Sequence, residues 1–355
     1  MRFTGYLQCY FRATVLVLCG VFIPALMVSA SDIVVGSWNI QRLGHGDHKS
    51  YPALAAIASK VDLLAVQEVM TEEGLERLRL QLEKRTGEPW GHLKSHALGD
   101  NSYKEMYGFL WRESTVEYSE GAVVYLDRGN RFAREPYSAK FRSLRDGSEL
   151  AVGTVHIVFG KSVKDRTPEI KALADYWLWM KEVYPDAPIV LMGDFNLPPS
   201  HDAWASMKRV SVPLITRGAT TLSSKEGRYA NLYDNIWVEP RTTLAITDAG
   251  IIDFPKMIGW SHEKSRRHVS DHAPIYMTLG NASLAGDAGK AAARPAASDS
   301  ASKATEGGIR GNRNSKIYHR SDCPSYNRMA DKNRVGFADA RAAESSGYRL
   351  ARNCP

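Results

Sequence analysis

Cysteine is scarce in this chain of 355 residues: there are four, and none lies between Cys19 and Cys323. The long middle of the sequence therefore has no disulfide to staple it, and must be held by a packed core, which a 44% apolar composition at this length can build. A bilayer-spanning run is lacking as well. The apolar stretch at residues 15–28 is shorter than the roughly 20 residues a span requires, and Pro24 interrupts it. Charge of one sign is absent where most of the chain lies: residues 31–280 are within one unit of neutral, although the whole sequence carries +7. No internal repeat is present.

What stands in those places is informative. Arg2 and Arg12 precede the apolar run and Val28, Ser29 and Ala30 end it in small residues, the pattern of a secretory signal peptide cleaved after Ala30. An uncleaved membrane anchor ranks second, and the leucine before Cys19 argues against a lipoprotein. The expectation is a secreted or periplasmic protein with no stable membrane association after cleavage. The exported chain then keeps Cys323 and Cys354, and a lone pair of exported thiols reads as a disulfide. The missing positive charge sits in the tail, where residues 281–355 hold 13 Lys and Arg against 7 Asp and Glu.

Four stretches follow: the leader at 1–30, one large domain at 31–280, a linker at 281–308 and a small basic module at 309–355. The linker is Ala, Gly, Ser and Lys with almost no large apolar side chain, so it cannot offset the entropy of ordering. Within the large domain, residues 33–40 and 61–69 read as buried strands with a helix at 51–60 between them, and 72–85 reads as a second helix. Strands follow at 106–112, 116–126 and 149–159. A helix comes next, with Thr167 as N-cap, Pro168 in its first turn, and Ile170, Leu173, Ala174 and Trp177 on one face. Further strands lie at 188–196, 233–239, 243–250 and 272–279. Strands outnumber helices, and βαβ units mix with hairpins, so a two-sheet sandwich with helices outside fits better than one doubly wound sheet.

Polar residues recur at the ends of these apolar strands: Asn39, Glu68, His156, the pair Asp194 and Asn196, and Asp271 with His272. Any one of them alone reads as a turn former or a satisfied core residue. Their repetition favours a site at one sheet rim. In "LMGDFNLPPS" a strand alternates, so Asp194 and Asn196 leave on one face and Phe195 on the other, while Pro198 and Pro199 end the ladder.

The motifs "SWNIQRL", "LLAVQEV", "NSYKEMYGFLWR", "GTVHI", "LMGDFNLPP", "YDNIWV" and "SDHAPI" occur in that order over residues 33–279. The chain thereby resembles the endonuclease/exonuclease/phosphatase superfamily, and "NSYKEMYGFLWR" resembles its pancreatic-deoxyribonuclease branch. The resemblance implies a four-layer α-β-β-α sandwich with two central mixed sheets, plus the small C-terminal module. It implies Glu68 as principal Mg²⁺ ligand with Asn39 and Asp271 completing the site, and His156 and His272 as an acid/base pair oriented by Glu105 and Asp234. It also implies that Asp194 and Asn196 position the water and a phosphate oxygen, and that Tyr103 lies against the nucleic acid.

The chemistry is consistent by itself. A carboxylate about 4 Å from a phosphodiester repels it by about 4 kcal/mol at an effective dielectric of 20, so this acidic site needs a cation. Oxygen ligands suit Mg²⁺, Mn²⁺ or Ca²⁺ and not zinc. Two departures bear on DNA docking: the branch's groove-gripping arginines fall here at Met70 and Asp100, and its disulfide is missing.

The tail resembles, more weakly, the metal-binding domain of the Ada methyl-transfer protein, whose four zinc cysteines reduce here to Cys323 and Cys354, with His319 nearby. The disulfide is favoured over zinc. Arg310, Arg313, Lys316, Arg328, Lys332 and Arg334, interleaved with Tyr318 and Tyr326, read as a phosphate-tracking surface. The leading reading is a monomeric, sequence-nonspecific endodeoxyribonuclease acting on DNA, with RNA as the alternative nucleic acid and 5′-phosphates as product ends. The competing readings are a sphingomyelinase or phosphoinositide phosphatase of the same superfamily, and a nucleic-acid-binding module without turnover.

Overall fold

Strands at the centre of the chain carry apolar side chains on both faces, so each requires a packed layer on either side. In β1 (Val34–Leu43) and β2 (Leu63–Val69), Val35, Leu63 and Ala65 point one way and Val34, Leu64 and Val66 the other. In β7 (Glu149–His156) and β8 (Ile189–Asp194), Val152, Val190 and Met192 meet the first set, while Ala151, Ile189 and Leu191 turn away.

The structure is a computed structural model and describes residues 1, 32–99, 103–225, 227–284, 309–320, 323, 333–337, 340–351 and 354. The expected leader, Asp100, most of the expected linker, and Tyr326, Arg328 and Lys332 lie outside the described residues. Among those described, no helix is long and apolar enough to cross a membrane.

The first sheet runs β11 (Ile246–Ile251), β12 (Ile275–Leu279), β1, β2, β4 (Met106–Arg112), β3 (Trp90–Lys94). The second runs β5 (Val116–Val124), β6 (Tyr137–Ser143), β7, β8, β10 (Asp234–Val238), β9 (Val212–Pro213). Both are mixed, with β1/β2 and β7/β8 parallel among antiparallel neighbours. The sheets press together through Val35, Phe109, Val152, Met192, Ile236 and Met277. Outside the first sheet lie α1 (Tyr51–Ala58), α2 (Glu72–Thr86) and the short α4 (Phe254–Ile258), through Leu54, Leu75, Leu78 and Phe254. Outside the second lies α3 (Val163–Val183), through Leu173, Trp177 and Met180. Each such fully buried side chain contributes about 1.5–3 kcal/mol. This is the four-layer α-β-β-α sandwich that the sequence implied.

The start of α3 corrects the sequence reading. Ser162, not Thr167, is the N-cap, in a capping box with Asp165. Thr167 sits one turn inside, and its hydroxyl donates to Val163 O at 2.9 Å. Pro168 drew the expected start too far along, because a proline inside a helix costs a donor and is commoner in the first turn. Strands β3 and β6 were not anticipated. In β6 the inward residues Tyr137, Ala139 and Phe141 do alternate, but the short and charged partners Ser138 and Lys140 weaken the signal.

The chain forms two compact units, Met1–Ala291 and Ala292–Pro355. In the second unit, taken by itself, a sheet runs β15 (Arg334–Phe337), β13 (Ile309–Asn312), β14 (Ile317–Arg320), β16 (Arg349–Leu350), accompanied by α6 (Ala340–Ser345). Ile309, Tyr318, Ala343 and Tyr348 make its small core. Cys323 and Cys354 are joined in a disulfide, the staple such a core needs.

Register fixes the rim of the second sheet. His156 pairs with Asp194 across β7/β8, and Asp234 pairs with Asp194 across β8/β10. Gly193 makes that close approach feasible: its φ is +146° and an added Cβ would lie 2.1 Å from Val155 O. Gly193→Ala is expected to cost at least about 2 kcal/mol of unfolding free energy in urea melts. Wild-type stability in that variant would show that the strands can part without loss.

Candidate active site

At the rim where the two sheets meet, Asp194 is 1% exposed, and its two oxygens are held separately. Oδ1 accepts from Asn196 N at 2.9 Å. Oδ2 accepts from Asn39 Nδ2 at 3.1 Å and faces the Nε2 atoms of His156 and His272, each 3.6 Å away. At 3.6 Å these are ion-pair contacts and not hydrogen bonds. Two imidazoles therefore approach one carboxylate oxygen.

Each histidine is backed by a second buried carboxylate. His156 Nδ1 donates to Glu105 Oε1 at 2.6 Å, and His272 Nδ1 donates to Asp234 Oδ2 at 2.8 Å. Burial opposes the charge on His272, but Asp234 and then Asp194 outweigh it and hold its pKa well above the ordinary value of 6.5. Burial likewise opposes protonation of His156, and Glu105 overcomes it, though the nearby Arg134 works in the opposite direction. Burial pushes the Glu105 carboxyl up, and His156 and Arg134 bring it below its usual value.

The first sheet supplies Asn39 and Glu68. Asn39 Nδ2 bridges Glu68 Oε1 at 3.0 Å and Asp194, so one amide ties a carboxylate of each sheet. Its Oδ1 accepts from Gln41 N at 2.9 Å. Backbone irregularity brings Glu68 out: β1/β2 pairing jumps from Asn39/Gln67 to Leu43/Val69. Glu68 has φ 58°, and Arg42, with φ 55°, donates its amide to Glu68 Oε2 at 3.0 Å. Left-handed non-glycine residues cost on the order of 1–3 kcal/mol each and persist where the surroundings enforce them. Gln67 stays between the sheets, donating to Ser37 Oγ at 3.0 Å and Thr154 Oγ1 at 2.8 Å.

An open cleft of about 610 Å³ unites Glu68, Tyr103, His156, Asp194, Asn196, Asp271 and His272. Glu105, Asp234 and Asn39 stand behind them, each at most 1% exposed. Asp271 pairs with Arg266 Nη1 at 3.2 Å. Tyr103 hydroxyl lies 3.8 Å from Met70 Sδ. Asn196 Nδ2 donates to Ile157 O at 2.8 Å.

Asp194, Asp234 and His272 bring ligand-type atoms within 4.8 Å of one another. Both nitrogens of His272 face carboxylates and its charged form is favoured, so this trio is better read as a charge relay than as a metal cage. The carboxylates of Glu68 and Asp271 also line the cleft and are partly open, and oxygen ligands of that kind suit a hard divalent cation.

Sequence comparison gives this geometry its context. A profile described as the endonuclease/exonuclease/phosphatase family matches residues 36–272. The chain belongs to the endonuclease/exonuclease/phosphatase family. A protein of Thioalkalivibrio sp. (strain K90mix) named deoxyribonuclease is 51% identical over 274 residues, covering 75% of each chain. Human deoxyribonuclease-1 is 28% identical, covering 72% of this chain and 95% of its own. A mannosyl-6-phosphatase of Bacteroides thetaiotaomicron shares the fold with TM-score 0.51 at 17% identity, covering 70% of this chain and 99% of its own. A second profile, described as ArfC, matches residues 285–350.

Within this family site, two residues escaped the sequence reading. Arg134 lines the cleft, pairs with Glu105 Oε1 at 3.2 Å and donates to His156 O from Nε at 3.2 Å and Nη2 at 2.9 Å. Ser270 Oγ donates to Asn39 O at 2.6 Å and accepts from His272 N at 3.1 Å. Arg134 follows a turn-rich stretch and carries no periodic signal, and Ser270, the first residue of "SDHAPI", reads as a turn former beside Asp271 and His272. Arg310, Arg313 and Lys316 belong to the second unit, where Lys316 Nζ lies 4.6 Å from the centre of the Tyr348 ring.

A histidine whose pKa is raised on folding stabilises the fold fully below its ordinary value, and that contribution is lost as pH rises through the raised value. Asp234→Asn removes the largest attraction on His272 and is expected to flatten the fall of Tm as pH rises above the ordinary imidazole value of 6.5. An unchanged slope would contradict the pairing.

Proposed function

We propose that this chain is a secreted or periplasmic, monomeric, divalent-metal-dependent and sequence-nonspecific endodeoxyribonuclease that leaves 5′-phosphates. The observation that carries the reading is the pair of histidines facing one Asp194 oxygen, each backed by its own buried carboxylate. Phosphodiester hydrolysis needs a proton removed from water on one side of phosphorus and one supplied to the leaving oxygen on the other, which two oriented imidazoles can do. The 51% identical relative named deoxyribonuclease supports DNA as the substrate.

In this reading Asp194 and Asn196 hold the water and a phosphate oxygen. His156 is assigned the water proton because Arg134 competes for its partner Glu105, whereas His272 lies between two carboxylates. His272, held charged by Asp234 and Asp194, protonates the leaving 3′-oxygen. Glu105 and Asp234 fix the ring tautomers, and Tyr103 lies against the nucleic acid. Glu68 and Asp271 would hold Mg²⁺, or Mn²⁺ or Ca²⁺, with Asn39 orienting Glu68. When bound, the ion supplies positive charge that offsets the repulsion between these carboxylates and the phosphate. Arg310, Arg313 and Lys316 tether DNA through the second unit, raising its local concentration in place of the family arginines.

Residues 31–355 incubated with supercoiled plasmid and Mg²⁺ should nick and then linearise it. EDTA, Asp194→Ala or His272→Ala should reduce the rate at least about 100-fold. Removal of residues 285–355 should raise KM on long DNA and flatten its salt dependence. Intact plasmid, with phosphate released from a lipid or sugar ester instead, would overturn the nuclease reading.

A further inference from the structure

Beside the catalytic cleft runs a second groove of about 730 Å³, bordered by Gln41, Ser224, Ser261, His262, Arg266 and Arg267. The two share Ser223, Ser224 and Arg266, so a chain lying in one continues into the other. We propose that this groove is a track for the phosphodiester backbone flanking the cleaved bond, with the Arg267 guanidinium as its main phosphate contact. The proposal rests on the endonuclease reading and adds to it where the substrate strand runs.

Three observations support it. The groove is preformed, because its dividing ridge is tied at several points. Thr221 bridges to His272 and Leu222 to Tyr229. Leu222 N donates to Asp271 O at 2.6 Å, and His262 Nε2 bonds Ser223 O at 3.0 Å. Its charge suits an anion: α5 (His262–His268) lines it with Arg266 and Arg267 against Glu263, the one acid among the described lining residues. Arg266 is engaged by Asp271, whereas Arg267 is exposed and forms no ion pair among the described residues. A guanidinium among hydroxyls and an amide fits phosphate oxygens, and such contacts position a strand without reading its bases.

The groove also answers a lack in the sequence. Residues 31–280 are nearly neutral overall, so they offer little general attraction for a polyanion. Cationic side chains concentrated on α5 restore a local positive surface where the strand leaves the site.

The full exported chain and its Arg267→Glu and Arg267→Lys variants would be assayed on a short DNA duplex and on bis(4-nitrophenyl) phosphate, which is small enough to fill the catalytic cleft alone. Arg267→Glu should raise KM on the duplex roughly tenfold more than on the small diester, and reduce the salt slope of duplex KM by about one contact. Arg267→Lys should recover most of the difference. Equal changes on both substrates, or none on the duplex, would overturn the groove and leave the nuclease reading in place. A wild-type chain that hydrolyses the small diester but leaves DNA intact would overturn the nuclease reading, and the groove with it.

Discussion

A buried carboxylate at the junction of two sheets has to be compensated, and the rim of this protein is built around that requirement. Removing an ion such as Asp194 from water costs several kcal/mol unless hydrogen bonds and opposite charge replace the solvent. Asn196 N holds one oxygen, and Asn39 with the two imidazoles surrounds the other. The compensation crosses layers: Asn39 belongs to the first sheet and Asp194 to the second. Sheet packing and site geometry are therefore one structural problem, with Gln67 repeating the connection deeper between the same sheets.

The same arrangement separates the histidines electrically. His272 lies between two carboxylates, whereas His156 shares Glu105 with Arg134. In the proposed hydrolysis, that difference in neighbours is what would divide acid from base between two residues of the same type. Backbone strain at Glu68 and Asn196 appears where functional groups must leave the regular strand direction, and it is maintained by packing such as that of Phe195 against Trp204 and Trp237.

Much of this was legible in the sequence. The apolar runs at 33–40 and 61–69 read as buried strands, which is enough to require layers on both faces of a sheet. The polar punctuation at Glu68, His156, Asp194 and Asp271 identified one rim because strand ends are where a period-two pattern stops and side chains become available. What stayed hidden depends on distant partners. Arg134 acquires its place only when its turn folds against Glu105. The α3 start was misread because Pro168 is a louder local signal than the Ser162/Asp165 box. The groove on α5 could not be seen because α5 is short, polar and without apolar periodicity.

The most direct test of Asp194 as the shared counter-charge is nuclear magnetic resonance of ¹⁵N-histidine-labelled protein across pH, with wild type beside Asp194→Asn. The account predicts that both His156 and His272 bind their protons more weakly in the variant, with the larger change at His272, while Nδ1 of each keeps its hydrogen bond. Unchanged titration of either histidine would show that Asp194 is not the charge holding the pair together, and would contradict the account.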